Sequence, residues 1–153
     1  KLKKNLFNNF RIPEGRGSLK KYYTKNKNII IIDESYNSNP HSLKFSVEKF
    51  DKNYKEKNKK FLLLGDMLEL GHYSKRLHQN AARFLNKSKV NKVYIYGELI
   101  KHTFNKLKPQ IRGKILNNKL EILNLIKKQL PNNSFLMIKG SNSTGLNKLI
   151  KKL

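Results

Sequence analysis

The chain has 153 residues, with 34 Lys+Arg against 10 Asp+Glu and no cysteine, so it is long enough for one domain with its own core but holds neither a disulfide framework nor a thiolate metal site. An apolar run of about 18 or more residues, the mark of a membrane-spanning helix, is absent, and the basic opening KLKKNLFNNF carries no apolar stretch of the kind a signal peptide needs. The formal net charge of +24 raises nucleic acid or an anionic surface as a partner. Against that, Lys far outnumbers Arg, is scattered along the chain, and accompanies abundant Asn and Ile, a pattern that compositional drift also produces. The lack of cysteine fits a reducing cytoplasm, and the absence of an initial Met suggests a fragment or a processed product.

In chain order, residues 1–12 read as a linker or the tail of a preceding domain, and residues 13–153 as one domain. Ile29–Ile32, apolar on both faces, reads as a buried strand. Ser42–Phe50 reads as a helix with Leu43, Val47 and Phe50 on one face, and Asp51–Lys60 as a solvated loop. Phe61–Leu64 is a second strand, Arg76–Leu85 a helix, Val93–Tyr96 a third strand and Leu99–Leu107 a helix. Ile115–Leu116 adds a short strand, Leu120–Leu130 a helix, Phe135–Ile138 a strand and Gly145–Leu153 a closing helix. Strands buried on both faces and alternating with amphipathic helices predict an α/β fold: Rossmann-like, doubly wound, a mostly parallel sheet with helices on both faces.

Such a sheet binds ligands beyond the carboxyl ends of its strands. The segments that follow the strands are DESYNSNP, GDMLELG, GE and KGSNSTG. They gather Asp33, Glu34, Asp66, Glu69 and Glu98 at one edge of a chain poor in acids. Turn and cap chemistry accounts for the glycines and for Ser38 or Asn39 before Pro40, but not for Glu34. An acid after a strand can accept from ribose hydroxyls, asparagines can pair with amide or adenine edges, Lys139 can hold an anion, and Ser141 or Ser143 can donate to a carboxylate or phosphate. A complete phosphate cradle is missing: neither GRG at 15–17 nor GSNSTG matches one. His41, His72 and His102 show no metal-ligand spacing.

Four motifs in order, PEGRG (Pro13–Gly17), IDESYNSNP (Ile32–Pro40), LLGDMLELG (Leu63–Gly71) and IKGSNSTG (Ile138–Gly145), resemble the carboxyl-terminal domain of the Mur ligases, of the type that adds D-Ala-D-Ala to UDP-MurNAc-tripeptide in peptidoglycan precursor synthesis. The resemblance covers essentially the whole chain. It implies an ATP- and Mg²⁺-dependent amide ligase working through an acyl phosphate, in which positioning and charge neutralisation carry the rate. The metal ligands and phosphate loop are expected in a central domain and the UDP end of the acceptor in an amino-terminal one. This chain would then be the monomeric lid, inactive alone, with no specific nucleic-acid partner.

Carried over residue by residue, the resemblance implies the following. Arg16 reaches ATP phosphates on closure, the alternative being a linker arginine. Asp33 or Glu34 holds the ribose hydroxyls. Asn37 lies near the nucleotide and Asn39 near the dipeptide, turn formation being an equal reading for Asn39. Tyr36 packs under the turn. Asp66 and Glu69 orient the dipeptide ammonium, Glu69 alternatively capping or pairing with Arg76. Lys139, with Ser141 and Ser143, contacts the substrate carboxylate, Lys139 and Arg16 being the catalytic candidates. His78 handles a proton or simply packs in its helix. Asn142 stands where relatives often carry Arg, and His41 where they often carry an acid. The other readings are a basic nucleic-acid-binding α/β module, supported by charge alone, and a free-standing nucleotide-binding domain, opposed by the absence of GxGxxG.

Overall fold

The computed structural model describes residues 15–54 and 59–153; the boundary expected near residue 12 and the first two residues of PEGRG lie outside them. Six strands form one sheet: β1 (Ser18–Thr24), β2 (Lys27–Glu34), β3 (Lys60–Gly65), β4 (Lys92–Tyr96), β5 (Arg112–Ile115) and β6 (Ser134–Lys139). Their spatial order is β1-β2-β6-β3-β4-β5. The five strands from β2 to β5 in that order run parallel, and β1 pairs antiparallel with β2.

The run of isoleucines divides by alternation. Ile29 and Ile31 face a core shared with Leu63, Leu136, Ile138, Ile122, Ile126 and Leu149. Ile32 faces the opposite core with Leu62, Leu64, Val93, Ile95 and Met137. Each core is closed by its own helices. On the first lie α4 (Lys119–Asn124) and α5 (Leu146–Ile150); on the second lie α1 (Pro40–Asn53), α2 (Ser74–Leu85) and α3 (Lys101–Phe104). This is the doubly wound α/β arrangement expected from strands apolar on both faces.

Helix α1 shows why its sequence folds as it does. Asn39 caps it by accepting from the Ser42 N–H at 2.8 Å, the Ser42 hydroxyl accepts from the Asn39 N–H at 3.1 Å, and Pro40 sits at the first helical position. Leu43, Val47 and Phe50 then fall on one buried face, worth about 6 kcal/mol of apolar transfer together. Helix α4 ends differently: it continues into one wide turn, Leu125–Gln129, where the Leu130 N–H donates to the Leu125 carbonyl at 2.9 Å.

Two features depart from the sequence expectation. SLKKYYT is a strand, β1, joined to β2 by the turn at Lys25–Asn26. Its lysines and exposed Leu19 and Tyr23 suit a charged edge strand and carry no apolar run. The stretch Asp51–Lys60 is also not a solvated loop throughout. Asp51–Asn53 finish α1 and Lys60 begins β3, while residues 55–58 lie outside the description. Lys60 is 2% exposed; its Nζ sits 3.3 Å from Asp51 Oδ1, and Asp51 Oδ2 accepts from the Lys89 N–H at 3.0 Å.

Removing Asp51 leaves the buried Lys60 ammonium without its charged partner. Asp51→Ala is therefore expected to lower the unfolding free energy by about 3 kcal/mol, and the double variant Asp51→Ala/Lys60→Met to recover most of it. Urea unfolding of the three proteins checks this, and equal losses in the single and double variants would refute it.

Candidate functional site

At the carboxyl edge the turns stand side by side in the order of their strands: residues 35–39 after β2, 140–145 after β6, 66–70 after β3 and 97–99 after β4. A parallel sheet leaves the backbone groups of such turns without ladder partners, so side chains must supply them. Here they do so across the gaps between strands.

Lys139, at the end of β6, is 3% exposed and donates from Nζ to the Asn37 carbonyl at 2.9 Å. The Ser141 N–H donates to the Asp66 carbonyl at 2.9 Å, and Ser141 Oγ accepts from the Leu68 N–H at 2.9 Å. Asp66 accepts through Oδ1 from the Ile100 N–H at 2.8 Å and through Oδ2 from the Glu98 N–H at 3.2 Å. These bonds join the turns after β2, β6, β3 and β4 into one frame. Gly65 and Gly140 allow the middle turns to meet, for a Cβ on either would press on the other's backbone and on Leu146.

The predicted site residues divide accordingly. Lys139, Ser141 and Asp66 are committed to backbone groups of the frame. Asp33 is buried, and its Oδ1 accepts from the Ser35 N–H at 3.0 Å and from the Ser35 hydroxyl, closing the turn that reverses the chain after β2. Asn39 is the cap of α1. Arg16, Asn37, Glu69 and Ser143 are exposed at the edge, with Asn37 Oδ1 accepting from the Ser38 N–H at 2.7 Å. Asn142 and His41 are exposed as well.

The loop bearing Arg16 is tied to the edge. The Gly17 N–H donates to the Asp33 carbonyl at 2.7 Å and the Tyr36 N–H to the Gly15 carbonyl at 3.1 Å. Tyr36 does not pack under its turn; it is 49% exposed and carries the Arg16 guanidinium 4.3 Å above its ring, a stacking that keeps the cation forward. The sequence supplied no signal for this contact beyond the presence of both residue types.

Glu34 turns toward α1, on the same face as its register partner Lys139. Its carboxylate lies so close under Gly17 that a Cβ there would stand 3.2 Å from Oε1. Burial raises its pKa, an effect opposed by the charges of Lys139 and Lys49, reinforced by Asp33, and opposed by a hydrogen bond from Ser46. Burial likewise lowers the pKa of Lys139, and Glu34 opposes that shift. A small cavity of about 110 Å³ borders Glu34, lined by Gly17, Ile32, Ser46, Lys49 and Met137 among others.

His78, on α2, is fully buried. The Met67 N–H donates to its Nε2 at 3.1 Å, and its Nδ1 lies 2.8 Å from the Ser74 carbonyl. An amide N–H can only donate and a carbonyl can only accept, so the proton sits on Nδ1 and the ring is neutral. Burial lowers its pKa, partly offset by the Ser74 carbonyl and Asp66, with His102 lowering it further.

Among the described residues, no three of His, Asp and Glu gather as a metal would require. The edge offers cation, amide, hydroxyl and carboxylate contacts on a rigid frame, the equipment of a binding surface rather than of a nucleophile and its base.

Fold and edge thus define a Rossmann-like α/β domain whose charged and polar groups gather at the carboxyl edge of its sheet. More specifically, the chain belongs to the Mur ligase family: the model of the Mur ligase glutamate ligase domain matches residues 20–142. A UDP-N-acetylmuramoyl-tripeptide–D-alanyl-D-alanine ligase of Rickettsia prowazekii is 30% identical over 139 residues, covering 91% of this chain and 30% of the relative. One of the same name from Buchnera aphidicola is 33% identical over 129 residues, covering 82% and 27%. The chain therefore spans roughly three tenths of the length of the curated relatives it matches. In fold it is similar to a MurF ligase of Thermotoga maritima solved with ADP (TM-score 0.73, 19% identity, 94% of this chain and 31% of that one). A MurF of Acinetobacter baumannii is similar too (TM-score 0.74, 22% identity, 95% and 31%).

Two measurements test this geometry. Gly97 has φ 137°, and a Cβ there would overlap the Asp66 carboxylate, so Gly97→Ala is expected to lose about 3 kcal/mol from backbone strain and the displaced Asp66 bonds; a urea midpoint unchanged from wild type would refute it. The pH dependence follows from His78. Its folded pKa lies below its unfolded value of 6.5, so below that pH the unfolded chain takes a proton that the folded one refuses. Stability is expected to fall as pH drops through 6.5 toward the folded pKa, and His78→Gln to remove this component, as unfolding curves between pH 7.5 and 5.5 would show.

Proposed function

We propose that this chain is the carboxyl-terminal domain of an ATP-dependent amide ligase that adds D-Ala-D-Ala to UDP-MurNAc-tripeptide for peptidoglycan precursors. The observation that carries the reading is that relatives about 30% identical over 80–91% of this chain share that one enzyme name. The strand edge supports it, because it presents a cation, amides, hydroxyls and carboxylates on one rigid frame.

ATP, when bound, supplies the phosphoryl group that activates the acceptor carboxylate, and Mg²⁺ would be held by residues outside this chain. Toward the nucleotide the residues fit in part. Arg16, stacked on Tyr36 and held forward by the Gly15–Gly17 loop, offers a permanent cation to phosphate oxygens. Exposed Asn37 offers an amide beside it. Glu34, half-buried beneath Gly17, is better placed than buried Asp33 to accept from a ribose hydroxyl at the rim. Asn39 and Ser143 provide polar contacts, and Glu69 a carboxylate for an ammonium. Lys139, Ser141 and Asp66 act by holding the turns that carry these groups. No feature of the fold or its relatives supports the nucleic-acid-binding module. Among the described residues, no helix is long and apolar enough to cross a membrane.

The test is made in the complete ligase. Arg16→Ala is expected to lower kcat about 100-fold, the scale of one lost transition-state charge contact, with Tm unchanged. D-Ala-D-Ala-dependent phosphate release at the wild-type rate in that variant would remove Arg16 from the reaction. Absence of such release in the wild-type enzyme would overturn the function itself.

A further inference from the structure

The turn after β3 is fixed at three consecutive residues. The Asp66 carbonyl accepts from the Ser141 N–H at 2.9 Å, the Met67 N–H donates to His78 Nε2 at 3.1 Å, and the Leu68 N–H donates to Ser141 Oγ at 2.9 Å. The next residue, Glu69, is exposed and adopts the left-handed conformation with φ 62°, which costs a residue bearing a Cβ and persists only where its surroundings impose it. The middle anchor is the one that ties this turn to a helix rather than to a neighbouring turn.

His78 is built for that task. Its Nδ1 side is engaged by the Ser74 carbonyl one turn back on α2, fixing the bare nitrogen toward Met67. The Thr103 hydroxyl donates to the His78 carbonyl at 2.6 Å, tying the same turn of α2 to α3. The titratable groups that act on the ring are Asp66 from the β3 turn and His102 from α3. Met67 itself is fully buried, so no water can replace the imidazole as partner of its N–H.

We infer that His78 is a positioning residue, the backbone acceptor that sets the 66–70 turn and so aims Glu69 at the ammonium of the incoming dipeptide. The functional half of this inference rests on the ligase reading; the structural half does not. His78 touches no substrate. It acts through the Met67 amide, and a donor-only or apolar side chain at this place would leave that amide buried without a partner, which costs more than an ordinary hydrogen bond contributes.

The test compares His78→Phe, which keeps a ring but no acceptor, with His78→Gln, whose carbonyl can stand in for Nε2. In the complete protein, amide exchange of the segment 66–70 is expected to speed up about tenfold or more in the Phe variant, the scale set by one lost hydrogen bond, and to return near wild type in the Gln variant. KM for D-Ala-D-Ala is expected to rise about tenfold with Phe, with kcat and KM for ATP within about twofold and Gln restoring it. Equal behaviour of Phe and Gln, or unchanged exchange in both, would reduce His78 to packing and overturn the inference. So would a loss spread equally over kcat and both KM values. If the wild-type protein joins no dipeptide, the ligase reading fails and the exchange data alone decide whether His78 sets the turn. If His78→Phe does not fold, ring-nitrogen NMR of the wild type at pH 7 decides: a proton on Nδ1 and none on Nε2 supports the role, and the opposite tautomer overturns it.

Discussion

The structure depends on one requirement of parallel sheets. Every strand must leave the sheet at its carboxyl end through a turn whose backbone groups have no ladder partner. In this domain four such turns lie next to one another, and buried or half-buried side chains satisfy them crosswise: Lys139 serves Asn37, Ser141 serves Leu68, Asp66 serves Glu98 and Ile100, and His78 serves Met67. Each group thereby does two things at once. It removes the cost of an unmade hydrogen bond, and it fixes one turn against its neighbour or, for His78, against helix α2. The exposed residues at the edge inherit their positions from this frame.

The same frame explains the unusual electrostatics of a chain carrying a net charge of +24. Glu34 and Lys139 are register partners whose pKa values move toward each other, Glu34 up and Lys139 down, each because burial penalises its charged form before the partner's charge offsets part of the penalty. The sign is the same for both. From the unperturbed carboxylate pKa upward Glu34 adds a cost to folding, and below the unperturbed lysine pKa Lys139 does likewise. Ionisation of either group thus carries a folding cost that its partner's charge only partly offsets, while Lys139 also holds the Asn37 carbonyl.

Much of the fold was legible because burial on both faces leaves a mark in the sequence. NIIIIDE and FLLL have no polar alternation, which only a covered parallel strand tolerates, and Leu43, Val47 and Phe50 recur at helical spacing. SLKKYYT was not legible, since an edge strand facing solvent needs no apolar pattern. Lys60 misled for the opposite reason: in a run of charged residues nothing distinguishes the one whose stem is buried and whose partner, Asp51, lies in the preceding helix. At the site, the edge itself could be read from the residues that follow each strand. The inward and outward members could not. Asp33 and Glu34 are adjacent in sequence but point to opposite faces, and Lys139 and Ser141 look like ligand groups until their backbone partners, Asn37 and Leu68, are seen. Hydrogen bonds from side chains to distant backbone leave no trace in residue types.

This division of labour bears on why the domain's few acids sit where they do. Under the proposed ligase reading, a surface that closes over a nucleotide must present cations, and Arg16 rests on its Tyr36 platform at that edge. It must also avoid collapsing onto its own charges before the ligand arrives. Asp33 is buried in its serine turn, Asp66 is bonded to two backbone amides and Glu34 is tucked under Gly17, while the Arg16 guanidinium rests on an aromatic face. Glu69 is the exception, exposed on a left-handed residue at the tip of a turn pinned at Asp66, Met67 and Leu68. Under the proposed function, the ammonium of the incoming dipeptide is the cation that a carboxylate held out in this way would meet.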